Sequence, residues 1–204
     1  MKNRTILIAT TNIGKIKEIS EELFDLGLEI KTLLDFPEIE PPEETGKTFF
    51  ENALLKAKYY AEKTGSLTIA DDSGLEVEAL GGKPGIYSSR FAGQGASDEE
   101  NIQKLLKLMQ DIPEEKRKAQ FVCVIVCYHP SGKYISSQGV WEGKIALSPR
   151  GDKGFGYDPI FLVKEFQYQK TAAELPLEVK NKLSHRGKAL RSLKEILPNF
   201  LKEI

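Results

Sequence analysis

Apolar positions along this chain change their spacing from segment to segment, and each change marks a new element. Residues 4–9, RTILIA, form a short apolar run that ends in small and polar residues, the pattern of a buried strand entering a loop. After TTNIGK, Ile16, Ile19, Leu23 and Leu26 recur at three and four, which predicts an amphipathic helix closed at Gly27. LEIKTLL at 28–34 returns to strand, and the proline-rich acidic stretch DFPEIEPPEETGK that follows reads as an exposed loop. Thr48 with Glu51 has capping-box spacing, and Phe49, Phe50, Ala53, Leu54, Ala57 and Ala61 extend a second helix from it.

LTIA at 67–70 is again a short strand, expected to break at DDSG before LEVEA resumes. The loop GGKPGIYSSRFAGQGAS has no periodicity, and Ser97 with Glu100 caps a third helix on Ile102, Leu105, Leu106 and Met109. Residues 119–128 are the most hydrophobic strand, turning at PSGK into YISSQGVWEGKIAL, which predicts an antiparallel middle to the sheet. The tail from Leu177 to Leu201 reads as one or two helices with Ser184 as a cap between them. No internal repeat or low-complexity linker interrupts this order, so a boundary between lobes would fall inside ordinary loops.

Composition narrows the class. The 204 residues, 40% hydrophobic and 29% charged, suit one domain or two lobes sharing a core and exclude disorder, collagen and a bare coiled coil. A net charge of -1 gives too little positive field for an obligate nucleic-acid binder, so any anion must be met locally. No apolar run approaches the roughly 20 residues of a membrane helix, and MKNRTILIAT lacks the apolar core of a signal peptide, which places the protein in the cytoplasm. Cys123 and Cys127 lie in FVCVIVCY with spacing that aims both to one face of a strand, as buried free thiols. Read instead as a metal half-site, they have only His129 nearby to complete it.

Charge is uneven along the chain. Six acids (Asp35, Glu38, Glu40, Glu43, Glu44 and Glu51) face one lysine, Lys47, between 35 and 51. Seven bases face one acid, Glu195, between Lys180 and Lys202. Two solvated faces would explain this, and so would carboxylates holding a divalent cation while basic groups clamp the anion it bridges. Local motifs add to the second reading. TTNIGK sets hydroxyls, an amide, a glycine and Lys15 between a strand end and a helix start, where backbone amides and the helix dipole favour phosphate; the Walker pattern is absent. Asp71 and Asp72 are adjacent carboxylates that repel unless a cation or proton is shared, though a simple turn would also carry them. GFGYDP presents Phe155 between two glycines, suited to stacking a base or to plugging a core. In SHRGKA, His185 and Arg186 stand at a helix start as ligands, caps or a surface pair.

Together these residues resemble the inosine triphosphatase family, also called Ham1-like, whose members are noncanonical purine nucleoside triphosphate pyrophosphatases; the bacterial branch is the nearer. Seven motifs stand in the family's order over nearly the whole chain: TTNIGK, FFENALLKA, ADDSGL, GGKPGIYSSRFAG, GFGYDPIF, TAAEL and KNKLSHRGKAL. The resemblance implies an α/β fold of the ITPase-like, anticodon-binding-like type: a single domain over 1–204 with a central mixed sheet flanked by helices, and two lobes with the active site in the cleft between them. It implies that Thr10, Thr11, Asn12, Ile13, Gly14, Lys15 and Lys56 line a phosphate channel, and that Asp72 is general base and Mg2+ ligand. Ser73 would touch substrate, while Phe155, Gly156, Tyr157 and Asp158, with Lys180, His185 and Arg186, would bind the base. Glu38 is the implied second metal ligand, with Glu43 and Glu44 as alternatives, and Asp71 is a supporting residue. Thr11 stands where many bacterial members have glycine. A homodimer hydrolysing ITP, dITP or XTP to monophosphate and pyrophosphate is the implied function. A Maf-like pyrophosphatase for modified pyrimidine nucleotides and a nucleotide-binding module without turnover are its rivals.

Overall fold

The computed structural model describes residues 4–204; Met1 to Asn3, the first residues of the start read above for a leader, lie outside the described residues. Six strands form one sheet in the order β2-β1-β3-β4-β5-β6, with β1 Thr5–Ile8, β2 Glu29–Thr32, β3 Leu67–Val77, β4 Lys118–Tyr128, β5 Tyr134–Ile145 and β6 Phe161–Val163. Among the described residues five α-helices accompany it: α1 Ile13–Leu23, α2 Phe49–Thr64, α3 Asp98–Met109, α4 Leu177–Leu183 and α5 His185–Glu203. The sheet is mixed, as expected. β1 pairs in parallel with both β2 and β3, and β6 runs antiparallel to β5. β4 and β5 are sheet neighbours joined only by residues 129–133, a link short enough for an antiparallel pair alone, and His129 N donates to Lys133 O across it at 2.9 Å.

The chain divides into two compact units, each with its own core. The first comprises the described residues up to Asp72, Cys123–Gly139 and Arg186–Ile204, and its core gathers Ile6, Ile8, Ile19, Leu23, Ile69, Cys123, Ile125, Leu190 and Leu193. Parallel β1 is buried on both faces, which is why its run is continuously apolar. The second unit comprises Ser73–Val122 and Val140–His185, centred on Leu75, Leu105, Met109, Phe121, Trp141 and Phe161.

Local signals placed the helix ends. Gly27 takes a φ of 63°, ending the turn that extends α1, because a left-handed residue there costs glycine nothing sterically. Thr48 caps α2 by accepting from Glu51 N, but the expected reciprocal bond goes elsewhere: Glu51 Oε2 accepts from Lys47 N at 2.6 Å. Ser97 and Glu100 form the full capping box on α3. Ser184 separates α4 from α5, which continues through Pro198.

The largest departure lies in β3. Instead of breaking at DDSG, it runs through all eleven residues from Leu67 to Val77. Aspartate disfavours strands in isolation, but cations on this chain receive both carboxylates, so pairing to neighbouring strands overrides local preference. Both cysteines are free and buried, as read; burial pushes the Cys123 thiol up to about 12 and Cys127 higher still, which leaves both unreactive near neutrality. Among the described residues, no helix is long and apolar enough to cross a membrane.

Candidate active site

In the first unit, the chain leaves β1 and turns into α1 at the TTNIGK residues. Asn12 is the helix cap, its Oδ1 accepting from Lys15 N at 3.1 Å while its own N donates to Thr10 Oγ1 at 3.1 Å. Thr11, Asn12 and Ile13 are exposed, so the first turn presents its amides at the surface; Gly14 and Lys15 are half-buried behind them. Lys15 turns inward, and its Nζ lies 3.1 and 3.0 Å from the two oxygens of Asp71.

Because successive strand residues point to opposite faces, a β3 that continues through DDSG separates the two aspartates. Asp71 meets Lys15 and also Arg186, whose Nε and Nη2 donate to Oδ2 at 3.4 Å each. Arg186 also pairs with Glu18 on α1, Nη1 to Oε2 at 2.5 Å. Burial opposes the ionised form of Asp71, but Lys15, Arg186 and Lys56 outweigh it and hold the carboxyl well below the usual range. Asp72 meets Lys56 at 3.6 Å, and that ammonium is shared with Glu44 at 3.1 Å. Burial pushes Asp72 up to about 6; Lys56 and Lys15 pull against it, while Glu44 and Asp71 reinforce it. Burial also works against the Lys56 ammonium, but Asp72, Asp71 and Glu44 prevail and keep its pKa above that of an ordinary lysine. Asp72 Oδ2 is buried with no hydrogen-bond partner. One aspartate is thus locked as an anion, and its neighbour can exchange a proton near neutrality.

Of the three glutamates considered beside Asp72, the structure brings Glu44 to the shared lysine, whereas Glu38 is exposed in a turn and Glu43 is exposed. Among the described residues, no group of three or more His, Cys, Asp or Glu side chains is placed to hold a metal ion. The orphaned Asp72 oxygen and the Glu44 carboxylate across Lys56 nonetheless fit a magnesium-type ion, which takes one or two carboxylates and completes its shell with water and phosphate.

The GFGYDP residues belong to the second unit. Asp158 closes their turn: its Oδ2 accepts from Phe155 N at 3.1 Å and from Lys180 Nζ at 2.7 Å. Lys180 lies 4.5 Å from the centroid of the half-buried Phe155 ring, so one cation serves both a carboxylate and an aromatic face. Tyr157 is buried and donates to Ser88 O at 2.7 Å, and Gly156 N donates to Asp98 Oδ2 at 2.7 Å. His185, nearly buried, stacks on Phe121 with centroids 4.7 Å apart and an interplanar angle of 12°. Ser73 is half-buried on β3. Gly154 sits at a φ of 74°, where an added Cβ would fall 2.0 Å from Asp158 Oδ2. Gly154→Ala is therefore expected to displace that carboxylate from Phe155 N and Lys180 Nζ and to lower stability by about 1–3 kcal/mol in urea denaturation.

Arg186, implied above as a base-binding residue, is here 2% exposed and engaged by Asp71 and Glu18. Glu18 was missed by sequence reasoning. Its one signal was its place a turn after Lys15 on the same helical side. Asn52 and Asp98 hold loops through backbone amides; Asn52 stood unremarked inside the FFENALLKA motif, and Asp98 carried no signal beyond its position at a helix start.

A buried, cation-lined aspartate pair beside a helix N-terminus, on a mixed sheet, is an arrangement that can exchange a proton next to an anion. The chain belongs to the Ham1 family, whose model matches residues 6–196. It is 49% identical over 199 residues to a Bacillus cereus protein named dITP/XTP pyrophosphatase, covering 97% of this chain and 96% of that protein. A Lactococcus lactis protein of the same name is 50% identical over 200 residues, covering 97% and 98%. The solved structure of a HAM1 protein from Coxiella burnetii superposes with a TM-score of 0.86 at 44% identity, covering 96% of this chain and 99% of that one.

Proposed function

We propose that this chain is a hydrolase that converts noncanonical purine nucleoside triphosphates (ITP, dITP and XTP) to monophosphate and pyrophosphate. The carrying observation is the division of labour between adjacent aspartates: Asp71 is held ionised among cations, while Asp72 is buried, raised to about 6 and keeps an oxygen with no partner. That oxygen is suited to take the proton of a water as the water adds to phosphorus and the bond to the pyrophosphate oxygen breaks. The names of the Bacillus cereus and Lactococcus lactis relatives support the same reaction.

Other residues bind and orient. Thr10 to Lys15, with the α1 N-terminus and Lys56, meet the triphosphate. Phe155, Gly156, Tyr157 and Asp158, with Lys180 and His185, are the groups for the base, Ser73 touches substrate, and Arg186 positions Asp71. A divalent ion, taken to be Mg2+, would be held by Asp72 with Glu44 or Glu38, and when bound it neutralises triphosphate charge that carboxylates would repel. We further take the chain to be one domain with two lobes, acting as a homodimer in the cytoplasm, with neither nucleic acid nor membrane as partner.

A panel of nucleoside triphosphates with Mg2+, reading monophosphate and pyrophosphate, tests the proposal. Preference for modified pyrimidine nucleotides would favour the Maf-like reading, binding without pyrophosphate release would favour a non-catalytic module, and full activity in excess chelator would remove the metal. Lys56→Met is expected to weaken ITP, XTP and GTP alike, because an ammonium carries no pattern that distinguishes bases. Loss of ITP turnover with GTP retained would contradict a phosphate role.

A further inference from the structure

The acidic loop after β2 is fastened to one side of α2. Asn52, Lys56 and Tyr59 stand at intervals of four and three, so they share a helical face. Each grips a different point of the loop. Tyr59 Oη donates to Glu40 O at 2.9 Å, Lys56 Nζ pairs with Glu44 at 3.1 Å, and Asn52 Oδ1 accepts from Gly46 N at 2.8 Å. Glu51 adds a fourth hold through Lys47 N.

The Asn52 contact is closely packed. Its side chain is fully buried, and its Nδ2 has no hydrogen-bond partner, so the residue leaves one buried donor unmet while it supplies an acceptor to the loop. Gly46 rests directly on it: an added Cβ would lie 2.5 Å from Asn52 Oδ1 and 2.8 Å from Asn52 N. A leucine of similar volume would fill the space without an orphaned amide, so packing alone does not account for asparagine here.

The geometry points to Asn52 and Tyr59 as positioning residues that hold the 40–46 loop so that Glu44 stands opposite Asp72 across Lys56, preorganised to bind the metal. This rests on the metal reading of the proposed function. Neither residue touches the ion; each acts through the backbone of the loop that carries Glu44, as outer groups orient metal-binding carboxylates elsewhere.

Mn2+ titrated alone into the full chain, with free Mn2+ read by its paramagnetic resonance, tests the inference without turnover. Asn52→Leu is expected to weaken Mn2+ binding about tenfold, and Tyr59→Phe, which removes only one hydroxyl at the surface end of the clamp, several-fold. Both variants should regain most of the wild-type kcat at saturating Mg2+, because Asp72 and Lys56 remain in place. If Asn52→Leu does not fold, Tyr59→Phe still decides the matter. Variants that bind Mn2+ as tightly as the wild type, with only a lower melting temperature, would show a purely structural role and overturn the inference while the metal reading stands. A wild-type chain that takes up no Mn2+ would sink the metal reading, and this inference with it.

Discussion

Asp72→Asn is expected to turn over at least about a hundredfold more slowly than the wild type, yet to unfold less readily at neutral pH. The two effects share one cause. Burial of the carboxylate, reinforced by the charges of Glu44 and Asp71 and only partly offset by Lys56, which it shares with Glu44, and by Lys15, raises its pKa from 3.8 to about 6 on folding. A raised carboxyl contributes nothing differential below the unfolded value, where both states hold the proton. Between about pH 4 and 6 the folded state retains a proton that the unfolded state has lost, so stability falls as pH rises. Above pH 6 the full penalty is present, roughly 3 kcal/mol for a carboxyl raised from 3.8 to about 6. The neutral amide avoids it. Urea denaturation in chelator should therefore show the variant more stable than the wild type at pH 7.5, the two converging near pH 4. Asp71→Asn should behave oppositely, because Asp71 is ionised and stabilised by its cations; it should lose stability and less turnover. Reversed outcomes for the pair would overturn the roles assigned to them.

Arg186→Met is expected to cost about 3–5 kcal/mol of stability, because it leaves the Asp71 and Glu18 carboxylates, 1% and 3% exposed, without the guanidinium between them. Methionine fills much the same volume, so the loss reports charge rather than a cavity. Adding Glu18→Gln to the Met variant should recover part of it by removing one of the stranded charges. An unchanged denaturation midpoint would contradict the ion-pair role. Kinetics on ITP and ATP with the folded fraction then test the base-reading role implied by family resemblance, in which the preference for ITP narrows.

What the sequence by itself determined is the local part of this design. TTNIGK between an apolar run and a 3.6-period face already placed a capped helix start where an anion could sit, because Asn12 and Lys15 are three residues apart and their bond is made within one turn. Gly27, Thr48 and Ser97 ended or began helices for equally local reasons. Seven motifs in order made the family legible, since motif order survives in sequence regardless of geometry.

Tertiary structure decided what depends on partners far along the chain. DDSG looked like a break because two aspartates and a glycine disfavour a strand on their own; only pairing in the sheet, with Lys15, Lys56 and Arg186 brought to the carboxylates, makes the strand continuous. That continuity turned a repelling pair into two groups on opposite faces with separated pKa values. Arg186 reads as a helix-start base until Glu18, 168 residues earlier, is seen against it. The choice of Glu44 over Glu38 at the shared lysine could not be read from an acid-rich run, because every glutamate there has the same chemistry and the path of the loop, held by Asn52, Tyr59 and Glu51, sets which one reaches Lys56.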